Sequence, residues 1–193
     1  MLTKEISALN AEINTCRSCS LGSSRINSVP GEGSSSARVM FVGEAPGATE
    51  DSQGRPFCGK AGGILDELLA VADLKREEVF ICNILKCRPQ NNRNPHGTEI
   101  QTCTPYLDRQ IEIIKPGTLC CLGNFATAYL MKKFGLEAKV QGIMKIHGNI
   151  FIAPVSYGKI RIMPLLHPAV VTYDRTKIET LKKDFLQLKN IPK

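Results

Sequence analysis

RVMFVGEAPGATEDSQGRPFCGKAGGILDELLAVA, residues 38–72, opens on one apolar run and closes on another of a different period. Arg38 to Val42 is continuously apolar after its first residue and stops at Gly43, the pattern of a buried strand. Ala61 to Ala72 places leucines and alanines at helical spacing and reads as a helix. Between them lies a loop rich in glycine and acids. Strand, loop at the carboxyl end, and returning helix form the unit from which parallel sheets are built.

The unit recurs along the chain. Val79 to Leu85 reads as the next strand, and a helix runs to about Ile114 behind a capping-box pattern at Thr98 and Gln101. Thr118 to Leu122 reads as a strand, and a helix follows from Asn124 to Lys133. Ile146–Ile152 and Lys159–Leu166 look like paired strands around Tyr157-Gly158, and Asp174 to Leu188 reads as a basic amphipathic helix. Upstream, Leu2, Ile6, Leu9 and Ile13 predict an amphipathic helix, and GEGSSS (31–36) predicts a flexible loop. The alternation argues for an α/β sandwich with a mainly parallel sheet. Ligands of such sheets sit at the carboxyl ends of the strands, here after Val42, near Asn83, after Leu122 and after Leu166.

Gly54 to Ala61, GRPFCGKA, is one letter short of the phosphate loop G-x-x-x-x-G-K-[ST]. A phosphate loop follows its strand directly, so that backbone amides at a helix N-terminus face the anion. Here Glu44, Glu50 and Asp51 intervene and repel phosphate, and Ala61 stands where a Mg²⁺-ligating hydroxyl is required. The stretch is not read as a nucleotide site.

At 193 residues the chain is expected to form a single domain, residues 1–193. Its composition, 42% hydrophobic and 22% charged, is that of an ordinary globular protein. No apolar run approaches a membrane span, and MLTKEISALNAEINTC lacks the apolar core of a signal peptide, so no membrane association and a cytoplasmic location are expected. A net charge of +7 favours a polyanionic partner. Eight cysteines in such a chain point to metal or cluster binding rather than disulfides. Cys16-x-x-Cys19 with the distant Cys87 and Cys103 can supply four thiolates to one site, which by itself suits zinc as well as iron–sulfur. Cys58, Cys82, Cys120 and Cys121 read as buried small hydrophobes.

Six pieces in order, Cys16-x-x-Cys19, GEAPGATED, GRPFCGKAG, CNILKCRP with Asn83 and Cys87, Cys103, and HPAVVTYDR, resemble the uracil-DNA glycosylase superfamily, in particular the family 4 type that carries a [4Fe–4S] cluster. The resemblance runs from Cys16 to the last helix. It implies a three-layer α/β/α sandwich around a central four-stranded, mainly parallel sheet. It also implies a cluster on Cys16, Cys19, Cys87 and Cys103, and removal of uracil from single- and double-stranded DNA by a nucleoid-associated monomer. Neither terminus carries a Q-x-x-[ILM]-x-x-[FY]-[FY] box, so a replication-clamp partner is not visible in the sequence.

The resemblance also assigns roles. Glu44, Ala45, Pro46, Phe57, Asn83 and His167 bind uracil. Phe57 offers a stacking face to a flipped base. Asn83 matches the O4 acceptor and N3–H donor of uracil, and cytosine offers the reverse pattern. His167 donates to O2 as charge develops there. Ala45 stands where the best-known branch has a water-activating Asp, which leaves Glu44, then Glu50, as candidate catalytic acids and Asn91 as a second water-positioning group. Gly47 replaces that branch's thymine-blocking aromatic. Arg88, Arg93, Arg175, Lys177, Lys182 and Lys183 are candidate phosphate contacts, and Pro168–Val171 a candidate wedge into the duplex. The alternative is a non-enzymatic or covalent uracil-DNA binding protein of the same fold. One branch traps DNA through a histidine in a basic KRRIH-type loop, but His96 here lies in NRNPHG, without that loop.

Overall fold

The structure, a computed structural model, describes residues 3–190; Leu2 lies outside them. In chain order the elements are α1 (Lys4–Thr15), α2 (Leu21–Ser24), β1 (Glu32–Gly33), β2 (Val39–Gly43), α3 (Ala48–Gln53) and α4 (Lys60–Val71). Then come β3 (Phe80–Asn83), α5 (Gly97–Ile114), β4 (Thr118–Leu122), α6 (Asn124–Lys133), α7 (Ile143–Ile146), β5 (Phe151–Val155), β6 (Gly158–Leu165), α8 (Val170–Tyr173) and α9 (Lys177–Leu186). None of the helices among the described residues is long and apolar enough to cross a membrane.

The sheet has six strands in the order β1-β3-β2-β4-β6-β5, not the four expected. The inner strands β3, β2, β4 and β6 are parallel, and β1 and β5 add antiparallel edges. Every residue of β2, β3 and β4 is buried, as continuous apolar runs require of strands covered on both faces. Ile6 of α1, Leu107 and Ile111 of α5, and Leu130 of α6 pack on one face. Leu65 and Leu68 of α4 and Leu181 and Phe185 of α9 pack on the other, where Phe185 stacks on Phe41 at 5.7 Å.

The departures from the sequence reading come from pairings, caps and turns that the hydrophobic period does not carry. The segment read as a flexible loop holds β1, which is only two residues long and exists because Glu32 and Gly33 pair with Ile81 and Phe80. Ile146 closes a short helix rather than opening a strand, and the turn at Gly148 delays β5 to Phe151. β3 ends at Asn83 because Ile84 and Leu85 turn their N–H groups to the carbonyls of Gly43 and Glu44, both at 3.0 Å. α5 is capped by His96 and Glu99, whose carboxylate accepts from the His96 N–H at 2.8 Å, rather than by Thr98 and Gln101. Asp174 lies before α9 and accepts from the Thr176 N–H, so that helix begins at Lys177.

α4 carries two adjacent glycines in very different surroundings. A Cβ on Gly62 would lie 1.8 Å from the carbonyl oxygen of Phe57, whereas one on Gly63 meets nothing within 4 Å. Gly62 therefore lets the loop bearing Phe57 lie directly on the helix. Gly62→Ala is expected to destabilise the protein by about 2–3 kcal/mol through overpacking, and Gly63→Ala to stabilise it by about 0.5–1 kcal/mol through helix propensity. Urea unfolding of the two variants measures the contrast.

Candidate active site

The carboxyl ends of β2 and β3 are drawn together by the two hydrogen bonds from Ile84 and Leu85. Gly43 sits at the junction. A Cβ there would lie 2.4 Å from Asn83 Oδ1 and 2.7 Å from Phe57 Cζ, so only glycine lets these two side chains meet at the strand end. Asn83 is 2% exposed; among the described residues its carboxamide makes no hydrogen bond, and it opens onto the cavity rather than being sealed in the core. Its backbone carbonyl, by contrast, accepts from Lys86 Nζ at 2.8 Å.

The three acids of the loop after β2 meet three different fates. The Glu50 carboxylate accepts from the backbone N–H groups of Gly47, Cys58 and Gly59 at 3.2, 3.0 and 2.8 Å. It thereby ties the start of α3 to the start of α4. Asp51 is buried and accepts from the N–H groups of Ile26 and Asn27. Glu44 is half-buried, its carboxylate has no hydrogen-bond partner among the described residues, and burial pushes its pKa up. Of the three, Glu44 alone has neither carboxylate oxygen engaged by a protein N–H.

Phe57 is held between these braces with φ of 47°, a left-handed backbone that a phenylalanine adopts only under constraint. Its ring stacks against His167, with centroids 5.6 Å apart and planes at 28°. His167 follows β6 and packs on Gly123 at the end of β4, where an added Cβ would lie 3.3 Å from the histidine Cβ. The Ala169 N–H donates to His167 Nδ1 at 3.2 Å. The proton of the neutral ring is therefore on Nε2. Burial pushes the ring down from 6.5 to about 4, against a smaller upward pull from Glu50, so at neutral pH it is an uncharged N–H donor.

These side chains line one cavity of about 510 Å³ together with Ala45, Pro46 and Gly47. The structure thus brings together Glu44, Ala45, Pro46, Glu50, Phe57, Asn83 and His167. It does not bring in Asn91, which is exposed and turned outward at a left-handed backbone position; its neighbour Asn92 lines the cavity instead. Arg93, Asn94 and Tyr173 also line it and were missed as cavity residues. The Asn-Asn pair was the available signal, since adjacent left-handed residues at 91 and 92 turn the chain so that only one faces inward. Tyr173 stands at the rim, 90% exposed.

Several candidate phosphate contacts are engaged elsewhere. Arg93 forms a fork with buried Glu99 at 2.9 and 2.6 Å, and Arg88 donates to Asn92 at 2.8 Å. Lys182 pairs with Glu179, and Lys177 lies 3.9 Å from Asp174. Arg175 and Lys183 are exposed. His96 is exposed as the cap of α5 and does not line the cavity.

Cys16, Cys19, Cys87 and Cys103 line a second, small and apolar cavity on the other side of Asn83 in sequence. They come from the turn after α1, the segment beyond β3, and α5. Among the described residues, no three His, Cys, Asp or Glu side chains converge closely enough to hold one metal ion. The four cysteines line one cavity, a donor set that can take a thiolate-bound metal group. Arg25 donates to Cys87 Sγ at 3.0 Å, and the Lys86 N–H to Cys103 Sγ at 3.2 Å. Burial pushes the Cys16 thiol up, but hydrogen bonds with Ser18 and Tyr106 and the Arg25 charge outweigh it and lower its pKa. These contacts favour the thiolate, the form a ligand must take. Cys82, Cys120 and Cys121 are buried as expected; Cys58 is half-exposed, because its N–H is turned toward Glu50.

The family model of the uracil DNA glycosylase superfamily matches residues 30–189, from just before β1 through α9. The chain belongs to that superfamily. It is 44% identical over 179 residues to a type-4 uracil-DNA glycosylase of Saccharolobus solfataricus, covering 92% of this chain and 82% of that one. A type-4 uracil-DNA glycosylase of Archaeoglobus fulgidus is 42% identical, covering 92% and 88%. One of Thermotoga maritima is 40% identical, covering 91% and 88%. The superfamily match takes in every residue named as lining the Asn83 cavity and leaves out Cys16 and Cys19.

In this superfamily member the buried His167 leaves a stability signature. The folded ring stays neutral while the unfolded chain's histidine takes a proton. Stability is therefore complete above about pH 6.5 and falls as pH drops toward about 4. A His167→Asn variant is expected to lack this component, and denaturant unfolding of both proteins across that range checks it.

Proposed function

We propose that the chain is a monofunctional N-glycosylase that flips uracil out of single- or double-stranded DNA and hydrolyses its glycosidic bond, leaving free uracil and an abasic site. The observation that carries this reading is the Asn83 carboxamide, buried at the cavity with no partner in the protein. Uracil presents O4 and N3–H to its donor and acceptor, whereas a carboxamide left unpaired beneath a bound base costs about 1–3 kcal/mol. Cytosine presents the reverse pattern and leaves the penalty in place. Phe57, rigid in its left-handed position, supplies the face for the extruded base.

As the bond breaks, negative charge collects on uracil O2 and positive charge on the sugar. His167 Nε2–H is aimed at the first. A neutral donor on a depressed pKa gains strength as the anion forms without giving up its proton, so it stabilises the transition state more than the ground state. Glu44 acts on the second, orienting water and offsetting sugar charge with a carboxylate that no protein group occupies. Glu50 braces the loop instead, and Asn92 rather than Asn91 is the amide placed to help position water. The crowding of Gly47 against the Glu50 carboxylate makes that turn rigid, and a rigid turn is the feature we assign to exclusion of the thymine methyl.

A [4Fe–4S] cluster on Cys16, Cys19, Cys87 and Cys103 ties α1, the β3 exit and α5 together. When bound it supplies cross-linking rather than reaction chemistry. Arg175, Lys183 and the exposed rim around Tyr173 face the DNA, in keeping with the net charge of +7, and the protein works as a cytoplasmic, nucleoid-associated monomer. No observation favours covalent trapping, since the exposed His96 is remote from the cavity lining.

Wild-type protein is expected to release free uracil from single-stranded and duplex oligonucleotides and to leave thymine intact. His167→Ala should lower kcat about 10²–10³-fold, the effect of removing one donor at a developing anion. Asn83→Ala should lower kcat/KM for uracil. The rate should fall as pH drops through the raised pKa of Glu44, and Glu44→Gln should be slow and lack that limb. Base release measured by chromatography decides each case, and protein that leaves uracil in place removes the enzymatic reading.

A further inference from the structure

Lys86 is the most deeply buried cation in the described chain, 1% exposed, on the segment that joins Asn83 to Cys87. Its Nζ donates to the Asn83 carbonyl at 2.8 Å and to Gln110 Oε1 at 2.7 Å. Gln110 is fully buried in α5 and donates through Nε2 to the Pro30 carbonyl at 2.8 Å. Among the described residues no carboxylate pairs with Lys86. The buried Cys82 thiol also contacts Lys86, and burial keeps that thiol's pKa raised; a buried ammonium held by carbonyls and a thiol is costly, and proteins normally place an anion beside it.

The neighbours that can become anionic are cysteines. Lys86 lines the cavity ringed by Cys16, Cys19, Cys87 and Cys103, and its own N–H donates to Cys103 Sγ. A lone thiol in apolar surroundings is not by itself a counter-anion. Four thiolates on a four-iron core are different: the oxidised cluster with its ligands carries a net negative charge. Arg25 is the other cation at this cavity, and it reaches Cys87 from the exposed side.

We propose that Lys86 is the buried counter-cation of the cluster and, through its bond to the Asn83 carbonyl, a positioning residue for uracil recognition. This rests on the cluster reading given above. One side chain then links the two cavities. The cluster's charge holds the ammonium in place, and the ammonium fixes the strand end that presents the Asn83 amide. Loss of the cluster leaves an uncompensated buried charge three residues from the reading amide and next to the ligand Cys87, and the segment relaxes.

The test uses Lys86→Met, which keeps the length and removes the charge, and Gln110→Glu, which keeps the ammonium and gives it a protein carboxylate. Both variants should release iron to a chelator faster than wild type, by about 10–100-fold, the usual effect of changing a residue just outside a metal's ligands. After iron is stripped, both should melt at the same temperature as stripped wild type or higher, because the uncompensated charge has been removed or paired. Lys86→Met should also narrow the preference for uracil over cytosine in base release. A merely structural hydrogen bond predicts the opposite sign in the stripped proteins, a lower melting temperature, and that result overturns the proposal. So does iron retention equal to wild type. If Lys86→Met does not fold, Gln110→Glu decides by the same two readouts. Wild-type protein that never holds iron overturns the cluster reading and this role with it, whereas iron-loaded wild type with unresponsive variants overturns only the role of Lys86.

Discussion

The cavity exists because Gly43 has no side chain. At that one position the end of β2, the Asn83 amide at the end of β3 and the ring of Phe57 meet within van der Waals range, and any Cβ would force at least one of them away. The two hydrogen bonds from Ile84 and Leu85 to the carbonyls of Gly43 and Glu44 then lock the strand ends side by side. Parallel strands leave their carboxyl ends open for ligands in general. Here one missing methyl group and two backbone bonds bring the ends of β2 and β3 together at a single opening.

Around this junction the polar groups divide into those that hold and those that act. Glu50 and Asp51 are held by backbone N–H groups and brace the loop between β2 and α4. Glu44, Asn83 and His167 Nε2 keep unfilled capacity directed at one space. Rigidity in the first set is what gives the second its value, because a donor or acceptor stabilises a transition state only if it need not reorganise when charge appears. His167 illustrates both roles: Nδ1 is committed to the Ala169 N–H, which leaves Nε2 as the reacting donor.

The cysteine cavity lies on the same structural path. β3 carries Asn83 at its end, and the next four residues reach Lys86 and Cys87. A group bound between Cys87 and Cys103 would stiffen the strand end that carries Asn83, and Cys16 and Cys19 would join the segment after α1 to it. For a chain of this size, a cross-link between segments so distant in sequence restricts the unfolded ensemble as well as the native loop.

The strand and helix order was legible because it depends on local pattern. β4 and α6 fall where the apolar runs place them, since a fully buried strand and an amphipathic helix each write their period into a few consecutive residues. The glycine-rich loop also declared itself, by what it lacked: acids and Ala61 in place of a phosphate site. Membership of the site was legible for Phe57, Asn83 and His167, whose motifs hold them next to strand ends. The edge strands were not legible, because two residues of β1 become a strand only when Ile81 and Phe80 lie beside them. Nor could the chain of letters tell Glu44 from Glu50, or Asn91 from Asn92. Those differences are made by N–H groups eight and nine residues away and by a left-handed turn. Sequence by itself determined which residue types reach the carboxyl end of the sheet. Only the tertiary structure decided which of them keep a free lone pair or proton there, because that depends on partners brought close by folding and not by spacing.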